Sequence, residues 1–477
     1  MENKPIGKNA VLNTIKTLLT IIFPVISYPY AMRKIGLTGM GRYQFAASII
    51  SYFTLIAGLG IPLYAVREGT KVRDDRKRFD EFASNIFSIN LYSTGFSYIL
   101  LVVVCIFSRK LANYQWIIAL LSVEVVLSTF SMNWVYTVVE DYFFTTLASV
   151  ILQVLSFLGI FLFIHSEKDL LIYAGLTMLS NYGYALFTFL YSRKYVSVHF
   201  VPKPAIRHLR PVMFLFFSAV ASTIYISSDT TILGWLTNDE RVGIYSAASK
   251  IYYILKSIIN AMIAVTIPRV TYYIAHDNRS EAKQLSENVL NVLILICFPA
   301  ITGLIFLSKE IVVLYGGQSC YDAYKPLIIL SIALFFAVFA NFFANCILIA
   351  LNKEKTIMVA MMVSALLNIV FNFIFIPVYQ ENAAAFTTLC AEIVVFLIAL
   401  LSSRKRFPVQ ISRRNIIQCV IGCVGVVVIC MAVRYFILNK FLQLVMQTGF
   451  SVIGYFAIQL ALRNTVLTKD LVKMFRR

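Results

Sequence analysis

Charged residues are scarce in this sequence of 477 residues, since Asp, Glu, Lys and Arg make up 14% of it and hydrophobic residues 59%. A soluble domain carries roughly 25% charged residues, so this shortage excludes a chain of ordinary soluble domains. Cysteine is present eight times but forms no Cys-x-x-Cys pair. The cysteine pattern therefore indicates neither a disulfide framework nor a metal site, and we expect no metal and no cofactor.

Long apolar segments make up most of the sequence. The chain divides into about fourteen apolar segments of roughly twenty residues, the length that crosses a bilayer as a helix. The first segment, near residues 9–30, has no small-residue cleavage site before Arg33, which favours a membrane span over a signal peptide. We therefore expect an all-α integral membrane protein with about fourteen transmembrane helices.

The net charge of +19 is unevenly distributed between the loops. The heaviest basic segments all fall on the same side of the predicted membrane: Arg67–Arg78, Arg193–Arg210, Arg404–Arg414 and Arg463–Arg477. Because Lys and Arg concentrate in cytoplasmic loops, both termini are predicted to be cytoplasmic. The surplus positive charge is explained by its role in orienting the chain in the membrane and by attraction to anionic lipid headgroups. We therefore expect membrane lipids but no nucleic acid among the partners.

The two halves of the sequence share short motifs. Three matching positions support an internal repeat: Gly41-Arg-Tyr43 with Gly243-Ile-Tyr245, Ile61-Pro62 with Ile267-Pro268, and Asn85 with Asn288. A repeat of six spans keeps one orientation, as in transporters built from parallel repeats. We expect two pseudo-symmetric six-helix bundles, residues 1–200 and 201–410, and residues 411–477 forming two extra helices and a basic cytoplasmic tail.

Several motifs occur in an order that identifies a family. They are Arg33-Lys-Ile-Gly36, Gly60-Ile-Pro62-Leu-Tyr64-Ala-Val-Arg67-Glu68, Asn133-Trp134, Asp229 with Leu233-Gly234, Lys250-Ile251, Tyr315-Gly316, Asn368 with Asn372, and Ile376-Pro377. With them the chain resembles the polysaccharide repeat-unit flippases, often called Wzx-type, of the multidrug, oligosaccharidyl-lipid and polysaccharide exporter superfamily. One departure is the Gln380-Glu381-Asn382 turn, where the family usually has glycines.

The resemblance implies a function without bond-making chemistry, and hence no enzyme. An undecaprenyl-diphosphate-linked oligosaccharide would cross from the inner to the outer leaflet of the bacterial cytoplasmic membrane. Polymerisation into capsule, O-antigen or exopolysaccharide would follow, which makes a polysaccharide polymerase and chain-length proteins expected partners. Crossing unaided would be very slow, because each unpaired polar group costs roughly 2 to 7 kcal/mol in hydrocarbon. A polar, cationic central cavity that works by alternating access is therefore expected.

Charges inside the apolar spans are the candidate cavity residues, since each costs about 2.5 to 3.5 kcal/mol at the bilayer centre. Lys250, Lys256 and Lys16 are predicted to offer ammonium groups to the diphosphate. At about 100° per residue, Lys250 and Lys256 lie roughly 120° apart, so they could line a wide cavity but not a narrow stripe. Lys16 is near a span end, where snorkelling to the interface is an equal alternative.

Three acidic residues in spans are candidates for ion coupling or for a conformational gate: Asp229, Glu124 and Glu392. Asp229 and Lys250 lie at similar predicted depths, so a structural ion pair between them is the main alternative. For Glu124 and Glu392, the favoured alternative is an interhelical hydrogen bond.

Two other functions compete with flipping. A drug or cation antiporter of the same superfamily would share the architecture but generally has twelve spans and no basic cavity. A membrane polysaccharide polymerase or ligase would need a large outer loop with catalytic charges, whereas the longest predicted outer loop, Ser308–Lys325, offers no nucleophile constellation.

Overall fold

A computed structural model describes residues 6–437 and 439–470, and every regular element in them is helical. The chain forms two compact units, Met1–Gly243 and Ile244–Arg477. The first unit contains nine α-helices: α1 (Ile6–Gly58), α2 (Ile61–Val72), α3 (Arg76–Phe107), α4 (Gln115–Phe130), α5 (Asn133–Val138), α6 (Phe143–Phe163), α7 (Leu170–Tyr182), α8 (Ala185–Ser192) and α9 (Leu209–Leu236).

The second unit begins within α10, and π-helical turns follow α13 over Phe342–Leu348. Its α-helices are α10 (Asp239–Ala275), α11 (Arg279–Phe306), α12 (Ser308–Gly316), α13 (Tyr324–Asn341), α14 (Glu354–Arg404), α15 (Arg413–Phe436) and α16 (Lys440–Ala461).

Twelve helical segments in the described part of the chain are long and apolar enough to cross a membrane. Two of them, Leu18–Val72 and Glu354–Arg404, contain 55 and 51 residues, more than twice the length of about 20 that one crossing needs. A helix satisfies its own backbone hydrogen bonds, as hydrocarbon requires. The all-α membrane class predicted from the sequence is confirmed, while the count of fourteen spans and the division into three domains stay predictions.

Both of these long segments contain backbone breaks. Within α1, Gly36 has a φ of 82°, and within α14, Gln380 has a φ of 52°. Leu59 and Gly60, both with positive φ, separate α1 from α2. Glycine tolerates this left-handed backbone without a Cβ clash, which explains two of the breaks. The breaks allow the chain to change direction inside its apolar segments.

A cluster of aromatic side chains packs together in the first unit near the beginning of α3. Phe79 and Phe82 of α3 pack edge-on against Trp134 of α5, with ring centroids 6.1 and 5.8 Å apart. Tyr64 of α2 and Val196 from the loop after α8 join the same buried cluster. The short helices α2 and α5 are thus held by burial of large side chains against α3.

The loop that leads from α8 to α9 is bound along α3, and we call residues 196–205 the first strap. Three hydrogen bonds form a ladder: Ser197 N–H donates to Asp80 Oδ1 (2.7 Å), His199 N–H to Ser84 Oγ (3.2 Å) and Val201 N–H to Ser88 Oγ (2.8 Å). Four helical residues rise about 6.0 Å and two extended residues about 6.6 Å, so alternate strap amides meet successive turns of α3. Asn85 Oδ1 also accepts from Ala205 N–H at 2.7 Å.

The second unit repeats this arrangement. Residues 408–412, the second strap, connect α14 to α15 and lie along α11, the counterpart of α3 in the repeat. Gln410 N–H donates to Glu287 Oε1 (2.9 Å), and Ser412 N–H donates to Asn291 Oδ1 (3.1 Å). The spacing is again four residues on the helix and two on the strap. This shared ladder is structural support for the sequence repeat.

Candidate functional site

Polar side chains of α10 form a stripe toward α14 in the second unit. Tyr245, Tyr252 and Lys256 are separated by seven and four residues, which places them on one helix face. The hydroxyls of Tyr245 and Thr388 lie 3.2 Å apart, and Tyr252 OH donates to Glu392 Oε1 at 2.8 Å. The two helices are therefore connected by hydrogen bonds between buried side chains.

Lys256 and Glu392, two residues predicted separately from the sequence, meet in this stripe. Lys256 Nζ lies 2.6 Å from Glu392 Oε1 and 3.2 Å from Tyr252 OH. The Glu392 side chain is 4% exposed and that of Lys256 19%. At such burial the charges stabilise each other only while they stay paired, because an unpaired buried charge is costly. A small change at either residue therefore affects both α10 and α14.

An asparagine cluster continues the polar stripe beyond Lys256, and the sequence analysis missed it. Asn341 Nδ2 donates to Asn260 Oδ1 at 2.8 Å, and Asn345 Nδ2 donates to Asn341 Oδ1. Asn341 ends α13 and Asn345 lies in the π-helical turns that follow. Widened turns of this kind occur frequently at functional sites. Amides inside apolar spans at these positions were the available signal in the sequence.

Lys250 lies on a different face of α10. It precedes Tyr252 by two residues, which corresponds to a rotation of about 200° around the helix axis. It precedes Lys256 by six residues, which leaves the two side chains about 120° apart. Its side chain is partly exposed. The predicted pairing of Lys250 with Asp229 would join residues of the two units and stays a prediction. The side chain of Lys16 lies outside the described residues.

Glu124 lines a cavity of about 380 Å³ within the first unit. Thr54, Tyr182 and Thr223 share this lining, so α1, α4, α7 and α9 all contribute. The Thr54 hydroxyl is buried and has no hydrogen-bond partner in the described part of the chain. The cavity therefore combines a carboxylate with an unsatisfied hydroxyl, a combination that suits a proton, a small cation or water.

Asp229 is buried at 2% exposure in α9, within a hydrogen-bonded contact between α9 and α1. Thr231 Oγ1 donates to Ser48 Oγ at 2.9 Å, and Ser51 Oγ donates to Ser227 Oγ at 3.2 Å. Small hydroxyl side chains of this kind allow membrane helices to approach closely. The structure thus places Glu124 and Asp229 in the first unit and brings Lys256 and Glu392 together in the second. In the described residues, no three His, Cys, Asp or Glu side chains are grouped as metal ligands.

Comparisons with known proteins show which family the chain belongs to. Residues 6–274, more than half of the chain, match the family described as "Polysaccharide biosynthesis protein", and residues 215–374 match the family MatE. A protein of Escherichia coli (strain K12) named "Putative O-antigen transporter" is 22% identical over 399 residues, which cover 80% of this chain and 93% of that protein.

Two solved structures show the fold. The lipid II flippase MurJ, in an inward closed conformation, superposes with a TM-score of 0.74 at 17% identity and covers 97% of this chain and 99% of its own. An inward-facing multidrug resistance transporter of the MATE family gives a TM-score of 0.61 at 15% identity, covering 82% of this chain and 94% of its own.

The fold is that of a multi-pass membrane protein, and the similar proteins are named as flippases or transporters, not as enzymes. The chain belongs to the polysaccharide biosynthesis protein family, in the superfamily that also contains the MATE transporters. The resemblance to polysaccharide flippases inferred from the motifs is therefore confirmed.

Proposed function

We propose that this protein flips undecaprenyl-diphosphate-linked oligosaccharide repeat units from the inner to the outer leaflet of a bacterial cytoplasmic membrane. The product would serve capsule, O-antigen or exopolysaccharide biosynthesis. The observation that carries this proposal is the family match together with a relative named for O-antigen transport, 93% of whose length is covered. Both termini are cytoplasmic in this proposal, and a polysaccharide polymerase and chain-length proteins receive the product.

In the proposed mechanism, an alternating-access cavity presents cations to the diphosphate. Lys250, Lys256 and Lys16 supply them, and Lys256 has a defined alternative partner in Glu392 at 2.6 Å. A diphosphate that reaches Lys256 competes with the Glu392 carboxylate for the ammonium. Because Tyr252 OH also donates to Glu392, the carboxylate keeps one hydrogen bond after Lys256 leaves. Exchange of partners then couples substrate binding to the contact between α10 and α14.

The driving force can come from the membrane itself. Moving negative charge outward across a membrane that is negative inside gains roughly 2.3 kcal/mol per charge per 100 mV. Ion coupling through Asp229, Glu124 or Glu392 is the alternative source. Export that persists when the potential is collapsed, with ion gradients intact, would contradict a purely potential-driven mechanism.

Deletion of the gene in its host, followed by lipid analysis, tests the function. We expect undecaprenyl-linked oligosaccharide to accumulate on the cytoplasmic side, with rescue by the wild-type chain. Lys256→Ala and Lys250→Ala are expected to abolish rescue when compared with the wild type at equal membrane levels, whereas Lys168→Ala, an exposed lysine, serves as the matched control. Normal lipid turnover in the deletion strain would contradict the function, and full rescue by both lysine variants would contradict the cationic cavity.

The MatE match over residues 215–374 favours one second candidate, a drug or cation antiporter. In the same deletion strain, drug sensitivity without any change in lipid-linked sugars would support that candidate instead.

A further inference from the structure

An apolar groove of about 570 Å³ opens on the first unit between α3, the first strap and the beginning of α9. Its walls include Leu59, Tyr92, Phe96, Leu209, Met213 and Phe216. Leu209, Met213 and Phe216 follow the spacing of four and three residues that places them on one face of α9. Tyr92 and Phe96 remain 49% and 61% exposed. The groove is thus a concave apolar surface on α3 and α9, two helices that are long and apolar enough to cross a membrane.

Polar atoms near the groove already have partners inside the protein. Ser93 Oγ donates to the carbonyl of Ala57 at 2.5 Å, and Tyr92 OH donates to the carbonyl of Pro202 at 2.9 Å. A sugar or a phosphate inside the groove would therefore lose hydrogen bonds to water without regaining them, at a cost of several kcal/mol. A hydrocarbon chain has no such loss.

The second unit shows what covers the equivalent surface there. The straps align Ser88 with Asn291, so Tyr92, one turn further along α3, corresponds to Leu295 of α11. Leu295 is fully buried, because α15 packs on α11 and Tyr455 OH of α16 donates to the Leu295 carbonyl at 2.9 Å. The same helix face is thus covered by apolar helices in one repeat and open in the other.

Three cations lie close in sequence to the residues that line the strap end of the groove. Lys203, Arg207 and Arg210 are all exposed and lie within two residues of groove-lining positions in the first strap or α9. Clusters of Lys and Arg at the end of a membrane helix attract anionic headgroups. We propose that the groove binds an anionic phospholipid, with an acyl chain against Tyr92, Met213 and Phe216 and the phosphate at the three cations.

A resident phospholipid fits this site better than the isoprenoid chain of a transported lipid. A cationic anchor at the strap end would hold a diphosphate at one face of the membrane and so oppose its crossing. A phospholipid that stays in one leaflet meets no such conflict. The site is therefore a structural lipid site, separate from the proposed translocation of sugar.

Native mass spectrometry of the purified full-length chain tests this site with phosphatidylglycerol and phosphatidylethanolamine of identical acyl chains. We expect tighter binding of phosphatidylglycerol, and Arg210→Gln to weaken it about fivefold, the effect of one cation near a lipid surface. Met213→Trp, which fills the groove, is expected to reduce binding of both lipids. Arg193→Gln and Phe214→Trp are matched controls, since both residues are exposed and neither lines the groove.

Unchanged phosphatidylglycerol binding in both Arg210→Gln and Met213→Trp would overturn the assignment. Displacement by undecaprenyl phosphate at lower concentration than phosphatidylglycerol would also overturn it, in favour of an isoprenoid occupant. If Met213→Trp does not fold, a phosphatidylglycerol with a photoreactive acyl chain gives the answer on the wild-type protein. Crosslinks to residues 89–96 or 209–216 are expected, and crosslinks confined to other segments would reject the site.

Discussion

Lys256 and Glu392 are 136 positions apart in the chain, yet their charged atoms lie 2.6 Å apart. Their energetic coupling should be measurable by a double-mutant cycle. Lys256→Met or Glu392→Leu alone removes the opposite charge from a mostly buried ion pair, and we expect a loss of stability of about 3 kcal/mol. The double variant removes both charges and should lose much less than the sum. The melting temperatures of the four proteins in detergent check this, and additive losses would contradict the pairing.

Sequence reasoning found both members of this pair but not their partnership. Each stood out as a charge inside an apolar span, which is costly enough to be noticed in a single sequence. Partnership depends on the rotation of α10 about its axis, which the depth of a residue along the span does not reveal. Tyr252, Asn260 and Asn341 were overlooked because neutral polar side chains are common in membrane helices. Their importance lies in contacts that only the packed structure shows.

The first strap is the element-scale feature that can be tested most directly. Ser88→Ala removes the acceptor for Val201 N–H, one of the four hydrogen bonds between the first strap and α3, and should loosen residues 196–205. We expect faster limited proteolysis within these residues and a stability loss of about 1 kcal/mol, typical for one hydrogen bond. Ser180→Ala in α7 is the control, since its hydroxyl lies outside the strap. Equal proteolysis rates for the two variants would show that the ladder does not hold the loop.

His208, where the first strap joins α9, gives this region a dependence on pH. Its ring is buried at 7% exposure, and its Nδ1 lies 2.7 Å from Tyr64 OH. Burial, with the neighbouring Arg207 guanidinium, lowers the pKa of His208 below its usual value of about 6.5. The unfolded chain therefore takes up this proton first as the pH falls, so the contribution to stability is complete above about pH 6.5 and is lost below it.

We expect the melting temperature of the wild-type protein to fall more between pH 7 and pH 5 than that of His208→Gln, which cannot take up this proton. His276→Gln, at an exposed position, should follow the wild type. Parallel curves for the wild type and His208→Gln would exclude His208 as the group responsible.

The presence of the membrane helices could be predicted from the sequence, because the length of an apolar run determines whether it can cross a membrane. The straps were not, since residues 196–205 and 408–412 looked like polar, basic loops. Their order comes from side chains on α3 and α11 that the apolar pattern does not single out. Asn85 was noticed as a repeat position, and the structure shows that its Oδ1 accepts a hydrogen bond from Ala205 N–H of the first strap.

Orientation is a property of the whole molecule, predicted from the distribution of Lys and Arg. If both termini are cytoplasmic, a green fluorescent protein fused after Arg477 should fluoresce, and alkaline phosphatase fused at the same place should be inactive. The opposite pattern would reverse the topology. Fusions after Lys168, on the predicted outer side, serve as the internal comparison and should give the opposite pair of signals.

The alternation within each strap also limits how the length of the connecting loops can vary in evolution. Deleting Phe200, which lies between His199 and Val201, would turn the following amides away from α3. Removing two residues would bring a correctly oriented amide to the same turn of the helix. Related chains should therefore differ in the length of these loops mainly by even numbers of residues.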